Sequence, residues 1–259
     1  MNTSDYSSGS SPWTLAAEGA RLDLRWLQLS VPHASPREGI TQISWQSQPI
    51  EAFRLLQLQS PACSPAPPPL VDAYVRGADL VASYAQAERG AVQPQVYFRA
   101  SQLNSAAGLE LIVSMQTSLL DSAPESLVTS ELPAREVLVL DSVHEQTPEP
   151  LALQSLPVRY LTTETKAAYL FLFRVSDTLS YAEMVHPGDF VAVELKSTDA
   201  TAVGGQRLKL TWRLFPERLE KGVIRRCRIA GWFLPREGDQ QASAEIFRRM
   251  LLEPLPLTA

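Results

Sequence analysis

The amino-acid sequence predicts an all-β protein, a large antiparallel two-sheet sandwich with one short helix near the C-terminus. Short runs of β-forming residues follow one another along the chain, each bounded by Pro, Gly, Ser or Asp, and few stretches have helical spacing. Prolines outnumber glycines, 20 to 12, and because proline cannot donate within a ladder it marks edges, turns and loops. Hydrophobic residues make up 45% of the 259 residues, which is enough for a sizeable core.

Two segments carry the clearest strand patterns. Residues 21–31 alternate apolar and polar side chains and then change parity, which indicates a strand with one solvent-facing side and a bulge. Residues 168–175 are apolar on both parities, so we predict a central strand that is covered on both faces. Arg174 is the only charge in that run. It needs an ionic partner or a position at the strand end, since an unpaired buried charge is costly.

The single helix is predicted over residues 239–253. Asp239 is a suitable N-terminal cap, and Pro254 ends the helix. Apolar residues recur at helical spacing through the segment, namely Ala242, Ile246, Phe247, Met250 and Leu251. We expect this stripe to pack against the sandwich.

The chain is predicted to form one folded domain. Residues 1–12 have the composition of a disordered tail, and residues 13–259 are expected to form a single β-sandwich domain. Proline-rich and polar segments near the middle of the chain favour a division of that domain into two similar halves, about 13–143 and 158–235. Composition leaves open whether such halves form one sandwich or two domains.

A short internal repeat favours the two halves. Residues 75–82 align with residues 185–192, with Val, Asp, Val and Ala matched, and in each copy a turn with glycine precedes an Asp and a new strand. Pro187 followed by Gly188 is typical of a type II turn, in which the glycine takes a positive φ. The repeat therefore predicts two β units of similar construction.

Two β halves joined by a mid-chain crossover resemble the supersandwich of the galactose-mutarotase-like proteins. The resemblance is architectural and covers no specific motif. Mutarotases use histidines with a carboxylate near the end of the chain, whereas the histidines here are His33, His144 and His186. The late carboxylates Glu245 and Glu253 lie on the predicted helix. The resemblance transfers no catalytic residue, and a fold does not by itself imply an activity.

Charge and cysteine content weigh against several classes of partner. The formal net charge of −5 provides no general attraction for a phosphate backbone, so nucleic acid is not an expected partner. Cys63 and Cys227 form no CxxC motif, and we expect neither a metal site nor a cofactor. The two thiols are expected to be unrelated, and a long-range disulfide between them is the alternative.

Targeting signals are not readable in the sequence. The N-terminal residues lack the basic and apolar regions of a secretory signal, and no run approaches the roughly 18 apolar residues of a membrane helix. We therefore expect a cytoplasmic protein without a membrane partner. The sequence does not indicate an oligomeric state.

Catalytic motifs with a strong sequence signal are missing from the chain. It contains no GxSxG, HExxH, Walker A or GxGxxG sequence, so the corresponding hydrolases, metalloproteases and nucleotide-binding enzymes have no support. Whether the protein is an enzyme stays open. One hypothesis is a protein that binds or modifies a carbohydrate or another polar small molecule. The other is a noncatalytic structural or protein-interaction module.

Residues 181–189 hold the first candidate site. On a strand, Tyr181 and Glu183 project from one face and His186 projects from the other, so Glu183 and His186 do not form a simple dyad. In a cleft at the strand end, His186 and Glu183 are the candidate catalytic residues, and Tyr181 could stack on a ligand. In the alternative interpretation, Tyr181 and Glu183 form a solvent-facing surface and His186 hydrogen-bonds within the turn.

Asp72, Tyr74 and Arg76 form the second candidate site, because they share one parity of a predicted strand. A carboxylate and a guanidinium can bind the hydroxyls of a polyol in pairs, while an aromatic ring covers the C–H surface of a sugar. These residues are therefore candidate ligand-binding residues. The same residues could equally form a surface ion pair beside a packed tyrosine.

A basic stretch over residues 207–228 runs against the overall acidity. It contains eight Lys and Arg residues and could attract an anionic ligand or an acidic partner. The acidic middle segment of the chain offers an intramolecular alternative for the same charges.

Overall fold

The computed structural model describes residues 11–59, 69–86, 92–122, 125–141, 147–162, 169–199, 206–215 and 218–253. These residues form nineteen strands and one α-helix. The strands are β1 (Trp13–Leu15), β2 (Ala20–Asp23), β3 (Leu27–Val31), β4 (Thr41–Trp45), β5 (Gln48–Ile50), β6 (Arg54–Gln59), β7 (Leu70–Arg76), β8 (Asp79–Tyr84), β9 (Gln93–Leu103), β10 (Ala106–Gln116), β11 (Ser126–Ala134), β12 (Glu136–Leu140), β13 (Glu149–Leu151), β14 (Val158–Leu161), β15 (Leu170–Arg174), β16 (Leu179–Val185), β17 (Phe190–Asp199), β18 (Gln206–Leu214) and β19 (Ile224–Pro235). The helix α1 is Asp239–Leu252.

The strands form three antiparallel sheets. The large sheet has nine strands in the order β13-β12-β15-β16-β19-β10-β9-β8-β7. The N-terminal sheet has the order β1-β2-β3-β4-β5, and the covering sheet has the order β14-β17-β18-β11-β6. Every pairing between neighbouring strands is antiparallel. The predicted all-β antiparallel architecture is confirmed.

Both five-stranded sheets cover the same face of the large sheet. Phe171 on β15 packs edge-to-face on Trp212 of the covering sheet, with ring centroids 5.7 Å apart. Phe233 on β19 stacks on Trp45 of the N-terminal sheet at 6.2 Å. The strand register places Phe171 and Phe233 on the same side of the large sheet. We call this side the inner face and the opposite side the outer face.

Strand β15 is covered on both faces, as its two-sided apolar pattern predicted. Phe171 and Phe173 face the sandwich interior, while Leu170 and Leu172 lie on the outer face in a cluster with α1. All four side chains are fully buried. Arg174 lies at the strand end and has ionic partners, so both expected ways of accommodating its charge occur together.

Helix α1 packs against the outer face through the predicted apolar stripe. Ile246, Phe247 and Met250 are buried against the large sheet. Gly238, with a φ of 73°, is the N-terminal cap, so the expectation that Asp239 caps the helix is wrong. Asp239 is instead the first helical residue and is only 2% exposed. Its carboxylate is free to bind groups on the large sheet.

A network of charged and polar groups holds the N-terminal end of α1. Arg174 donates to both carboxylate oxygens of Asp239, over 3.1 and 3.2 Å, and to Glu136 over 2.8 Å. Ser180 donates to Asp239 over 2.7 Å. Because Asp239 is buried, its negative charge needs these donors. The network explains why a single arginine is tolerated in the most apolar strand of the chain.

The parity change within residues 21–31 comes from a turn and not from a bulge. The segment forms two strands, β2 and β3, that pair with each other. Leu24 donates its backbone N–H to the carbonyl of Leu27 over 2.8 Å and closes the turn between them. The two strands can therefore present apolar residues of different sequence parity to the same core.

The two copies of the internal repeat lie in different surroundings. Residues 75–82 form the hairpin of β7 and β8 within the large sheet, whereas residues 185–192 connect β16 of the large sheet to β17 of the covering sheet. Gly77 has a φ of 60°, but Gly188 does not have a positive φ, so the type II turn expected at Gly188 is wrong. The predicted division into halves 13–143 and 158–235 stays a prediction.

Some predictions concern residues that the structure does not describe. They include the disordered tail up to residue 10, Cys63 and His144. In the described part of the chain, no helix has the length and apolar character needed to cross a membrane.

Replacing Asp239 by Asn should destabilise the fold strongly. Asn keeps the size of the side chain but removes one of the two carboxylates that pair with Arg174, the more buried one, and the Arg174 side chain is only 14% exposed. Loss of one partner from a buried ion pair costs about 3 kcal/mol or more, and we expect that loss in the free energy of urea unfolding. The matched control is Glu245→Gln, which removes an exposed pair with Arg249 and should cost less than about 0.5 kcal/mol. Equal losses in the two variants would contradict the role given to Asp239.

Candidate functional site

The outer face of the large sheet carries a row of alternating charges. Asp79 on β8 lies opposite Arg99 on β9, and Arg99 lies opposite Glu110 on β10. Arg99 donates to both carboxylate oxygens of Asp79, over 2.7 and 3.0 Å. Arg228 on β19 lies diagonally from Glu110, with Nη1 3.9 Å from Oε1. Four neighbouring strands thus bring together charged residues that are far apart in sequence.

A cavity of about 240 Å³ lies where the C-terminal end of α1 meets this row. We call it the helix cavity. The sheet contributes Arg99, Glu110 and Trp232 to its wall, and the helix end contributes Arg249 and Glu253. Apolar atoms of the helix and sheet complete the lining. The cavity combines acidic, basic and aromatic groups in a small volume that is partly open to solvent.

Trp232 forms the aromatic wall because its strand neighbour is a glycine. Gly108 lies directly opposite Trp232 in the β10–β19 register. A Cβ atom at Gly108 would lie only 2.6 Å from Cδ2 of the indole ring, well inside van der Waals contact. The indole ring can lie across β10 only because this position has no side chain. Gly108 therefore helps to shape the helix cavity.

Glu110 is the buried carboxyl group of the helix cavity. Its residue is 7% exposed. Burial raises the pKa of Glu110 above its usual value, and the nearby Arg228 and Arg99 guanidiniums offset this only in part. A carboxyl group that retains its proton to higher pH can donate as well as accept a hydrogen bond. Glu110 is therefore the group in the cavity best suited to proton transfer.

Arg228 connects the site to the helix. Its Nη2 donates to the backbone carbonyls of Met250 and Glu253, the latter over 3.2 Å, and its Nη1 lies 3.7 Å from the Glu253 carboxylate. A cation at the C-terminal end of a helix also interacts favourably with the helix dipole. Arg228 is only 2% exposed, so its charge depends on these partners. The carboxylates of Glu110 and Glu253 both lie within 4 Å of Nη1 and so lie near each other.

His186 lies beside the helix cavity but does not line it. A neighbouring depression is bordered by His186, Asp189, Arg228 and Glu253. Nδ1 of His186 accepts the backbone N–H of Gly188 over 3.2 Å, which is the hydrogen bond within the turn that the alternative interpretation expected. His186, the predicted acid or base, therefore lies outside the cavity that Glu110 lines.

Tyr181 and Glu183 lie on the inner face, in the interior of the sandwich. The expectation that they form a solvent-facing surface is wrong, because Glu183 is fully buried and Tyr181 is 1% exposed. Glu183 accepts hydrogen bonds from Ser130 at 2.5 Å, from Tyr181 at 2.8 Å and from Trp212 at 2.7 Å. The prediction that Tyr181 and Glu183 share one face and that His186 lies on the opposite face is correct. The structure does not bring Tyr181 or Glu183 to the helix cavity.

Asp72, Tyr74 and Arg76 share the outer face, as their parity predicted. They lie opposite Ser83, Val81 and Asp79 on β8, respectively. Strand β7 is the edge strand of the large sheet, five interstrand spacings or roughly 24 Å from β16. The Asp72 group and His186 thus occupy the same face but not the same cavity. Their role in ligand binding stays a prediction.

The basic stretch over residues 207–228 is paired within the chain to a large extent. Residues 121–131, in the acidic middle of the chain, supply partners for four of its eight basic residues, as the intramolecular alternative expected. The ion pairs are Lys209–Glu131 at 3.2 Å, Arg207–Glu131 at 3.9 Å, Arg213–Glu125 at 2.6 Å and Arg218–Asp121 at 2.5 Å.

Sequence reasoning missed the principal residues of the helix cavity. Arg99, Glu110 and Trp232 belong to three strands and have no common motif spacing. One signal was available: Glu110 is the only charge in the apolar run of residues 106–115. A lone carboxyl group in such a run requires a partner or a special environment.

Cys227 is also buried, which raises the pKa of its thiol, and its Sγ donates to the carbonyl of Asp189.

Several solved structures have a similar fold. The Slr1438 protein from Synechocystis sp. PCC 6803 matches with a TM-score of 0.58 at 12% identity, over 88% of this chain and 99% of that chain. A galactose mutarotase-like protein from Lactobacillus casei ATCC 334 matches with a TM-score of 0.57 at 7% identity, over 83% and 100%. A galactose mutarotase related enzyme from Lactobacillus acidophilus matches with a TM-score of 0.53 at 8% identity, over 83% and 97%.

These likenesses concern the fold alone, because the sequence identities are low. No family model and no curated protein matches the chain. The chain has a galactose mutarotase-like β-sandwich fold, as the resemblance of its sequence pattern predicted.

The buried Glu183 carboxyl group should make stability depend on pH. Burial raises its pKa to about 7, although its three hydrogen-bond donors lower it. Between pH 4.5 and 7 the folded state retains a proton that the unfolded state releases, so stability should fall as pH rises through this window and then level off. The loss is about 3 kcal/mol in total, given about 1.4 kcal/mol per pKa unit.

Urea unfolding at pH 5 and pH 8 tests this dependence. Glu183→Gln carries no titratable proton, so its stability relative to wild type should rise by about 2–3 kcal/mol between the two pH values. Glu149→Gln removes an exposed carboxylate and serves as the control, with no such change expected. A constant difference between Glu183→Gln and wild type at both pH values would refute the raised pKa.

Proposed function

We propose that the helix cavity binds a carbohydrate of monosaccharide size and that the chain modifies it. The observation that carries the proposal is the buried Glu110 carboxyl group, enclosed with Arg99 and Trp232 on the outer face of a mutarotase-like sandwich. Guanidinium and carboxylate groups bind sugar hydroxyls, and an indole ring suits the apolar C–H surface of a sugar. These are the chemical groups that a carbohydrate site requires.

The size of the helix cavity favours a small ligand. Its volume of about 240 Å³ is below the roughly 300–1,000 Å³ typical of pockets for drug-sized molecules. A single sugar ring fits this scale better than an oligosaccharide. The alternating charges around the cavity also favour a ligand with many hydroxyl groups, because each charged group can bind a hydroxyl without requiring a net charge on the ligand.

The reaction that these groups support is the interconversion of sugar anomers. Glu110, in its protonated form, donates a proton to the ring oxygen while the bond from that oxygen to the anomeric carbon breaks. The Glu253 carboxylate accepts the proton of the anomeric hydroxyl, which becomes the carbonyl of the open-chain sugar. Closure of the ring on the other face of that carbonyl reverses the two proton transfers. The reaction needs no cofactor, and its two catalytic groups are Glu110 and Glu253.

Replacing Glu110 by Gln should abolish the activity. The amide cannot transfer a proton, so the rate of anomer interconversion should fall by about 100-fold or more. Polarimetry and NMR of fresh α-anomers of common hexoses measure the rate, and saturation-transfer NMR measures binding. Asp72→Ala serves as the control, because Asp72 lies on the same face but outside the helix cavity. Activity that survives in Glu110→Gln but disappears in Asp72→Ala would place the site at the sheet edge instead.

The second candidate function is a noncatalytic interaction module, and the exposed edge of β7 favours it. Sugar binding without any turnover would support a binding protein. Neither binding nor turnover with any hexose would refute the carbohydrate proposal and leave the interaction module.

A further inference from the structure

Strand β7 is the least protected edge of the three sheets. Among the described residues, no strand pairs with its outer side. Most other edge strands contain a proline or are very short: β5 contains Pro49, β13 contains Pro150, β1 has three residues and β14 has four. The remaining edge strand, β6, forms a bridge between Leu55 and Ile40. Strand β7 has seven residues and no proline. A long edge without proline is a template for pairing with another strand.

The hydrogen bonds of the large sheet show which peptide groups of β7 point outward. Ala100 on β9 donates to the carbonyl of Ala78, so the peptide groups of the next residue, Asp79, point away from β9 and towards β7. Arg76 pairs with Asp79 across the hairpin and uses its own peptide groups there. Because the direction alternates along a strand, Ala73 and Val75 direct their N–H and carbonyl groups outward.

The side chains of β7 are complementary to a second copy of the same strand. In an antiparallel pair centred on Tyr74, Asp72 of each copy lies opposite Arg76 of the other, and the two Tyr74 rings face each other. Ala73 then lies opposite Val75 and exchanges hydrogen bonds with it, which is the pairing that the outward peptide groups permit. The ionic and tyrosine pairs fall at non-hydrogen-bonded positions, where side chains are closest.

We propose that two copies of this chain associate through β7, antiparallel and centred on Tyr74, to form one continuous sheet of eighteen strands. The exposed residues of the strand fit this role. Val71 is 64% exposed and Tyr74 is 39% exposed, so both belong to the exposed large hydrophobic side chains of the described residues. The register shift between Leu70 and Asp72 limits the regular edge to residues 72–76. The proposal does not depend on the proposed sugar site.

Other antiparallel registers lack this complementarity. A pair centred on Ala73 places Asp72 opposite Tyr74 and Arg76 opposite Leu70. A pair centred on Val75 places Arg76 opposite Tyr74 and leaves Asp72 opposite Ala78. Only the register centred on Tyr74 satisfies both charges, and it does so twice because of the two-fold axis. The charged pairs therefore select one register.

Sedimentation velocity of the full chain over a concentration series tests the proposal. A short strand-to-strand contact is small for a protein interface, so the wild type should dimerise with a dissociation constant in the micromolar range. Asp72→Arg places two pairs of like charges in the interface, as does Arg76→Asp, and each should weaken dimerisation by about tenfold or more. The double variant Asp72→Arg/Arg76→Asp restores both opposite-charge pairs and should dimerise like wild type.

A backbone variant tests the outward peptide groups separately. Ala73→Pro removes an outward N–H but none that bonds to β8, so it should abolish the dimer and leave the monomer folded by circular dichroism. Arg21→Asp, an exposed charge reversal on the N-terminal sheet, should leave dimerisation unchanged. A wild type that stays monomeric up to about 100 µM would overturn the proposal. So would single charge variants that dimerise as strongly as wild type, or a double variant that does not recover.

Discussion

Two arginines hold helix α1 on the outer face of the large sheet, one at each end of the helix: Arg228 is buried, and the Arg174 side chain is 14% exposed. Arg174 binds Asp239 at the first helical residue, and Arg228 donates to the carbonyls of the last turn and to Glu253. Without these partners each guanidinium would be a poorly compensated charge in a low-dielectric environment, which is costly. Because α1 is fixed in this way, it buries the outer side of β15, β16 and β19.

The candidate site is a consequence of that placement. The helix cavity exists where α1 ends, and Arg228 belongs both to the attachment of the helix and to the environment of Glu110. Removal of water raises the pKa of both Glu110 and Glu183, but only Glu183, on the inner face, accepts hydrogen bonds from three side-chain donors. The two carboxyl groups therefore have different roles: Glu183 connects the large sheet to the covering sheet, and Glu110 faces a space that a ligand can occupy.

Much of the fold could be predicted from the sequence, because it depends on local periodicity. The two-sided apolar run of residues 168–175 predicted a strand covered on both faces, and the helical stripe near the C-terminus predicted the element that covers one of them. The sequence pattern also predicted correctly that Asp72, Tyr74 and Arg76 share one face of a strand. It predicted correctly that Glu183 and His186 lie on opposite faces. The candidate site could not be predicted in this way. Its groups come from separate strands and one helix end, and their proximity depends on strand order rather than on spacing.

The sequence by itself determined that the chain forms antiparallel strands with alternating faces, one covered central strand and one amphipathic C-terminal helix. Only the tertiary structure decided which face is the interior. The physical reason is that a two-residue period separates the faces of a strand without identifying the layer that covers each one. Glu110 and Glu183 look alike in sequence, each a single carboxyl group in an apolar strand. Packing of the covering sheet gave Glu183 its donors, and the end of α1 left Glu110 beside a cavity.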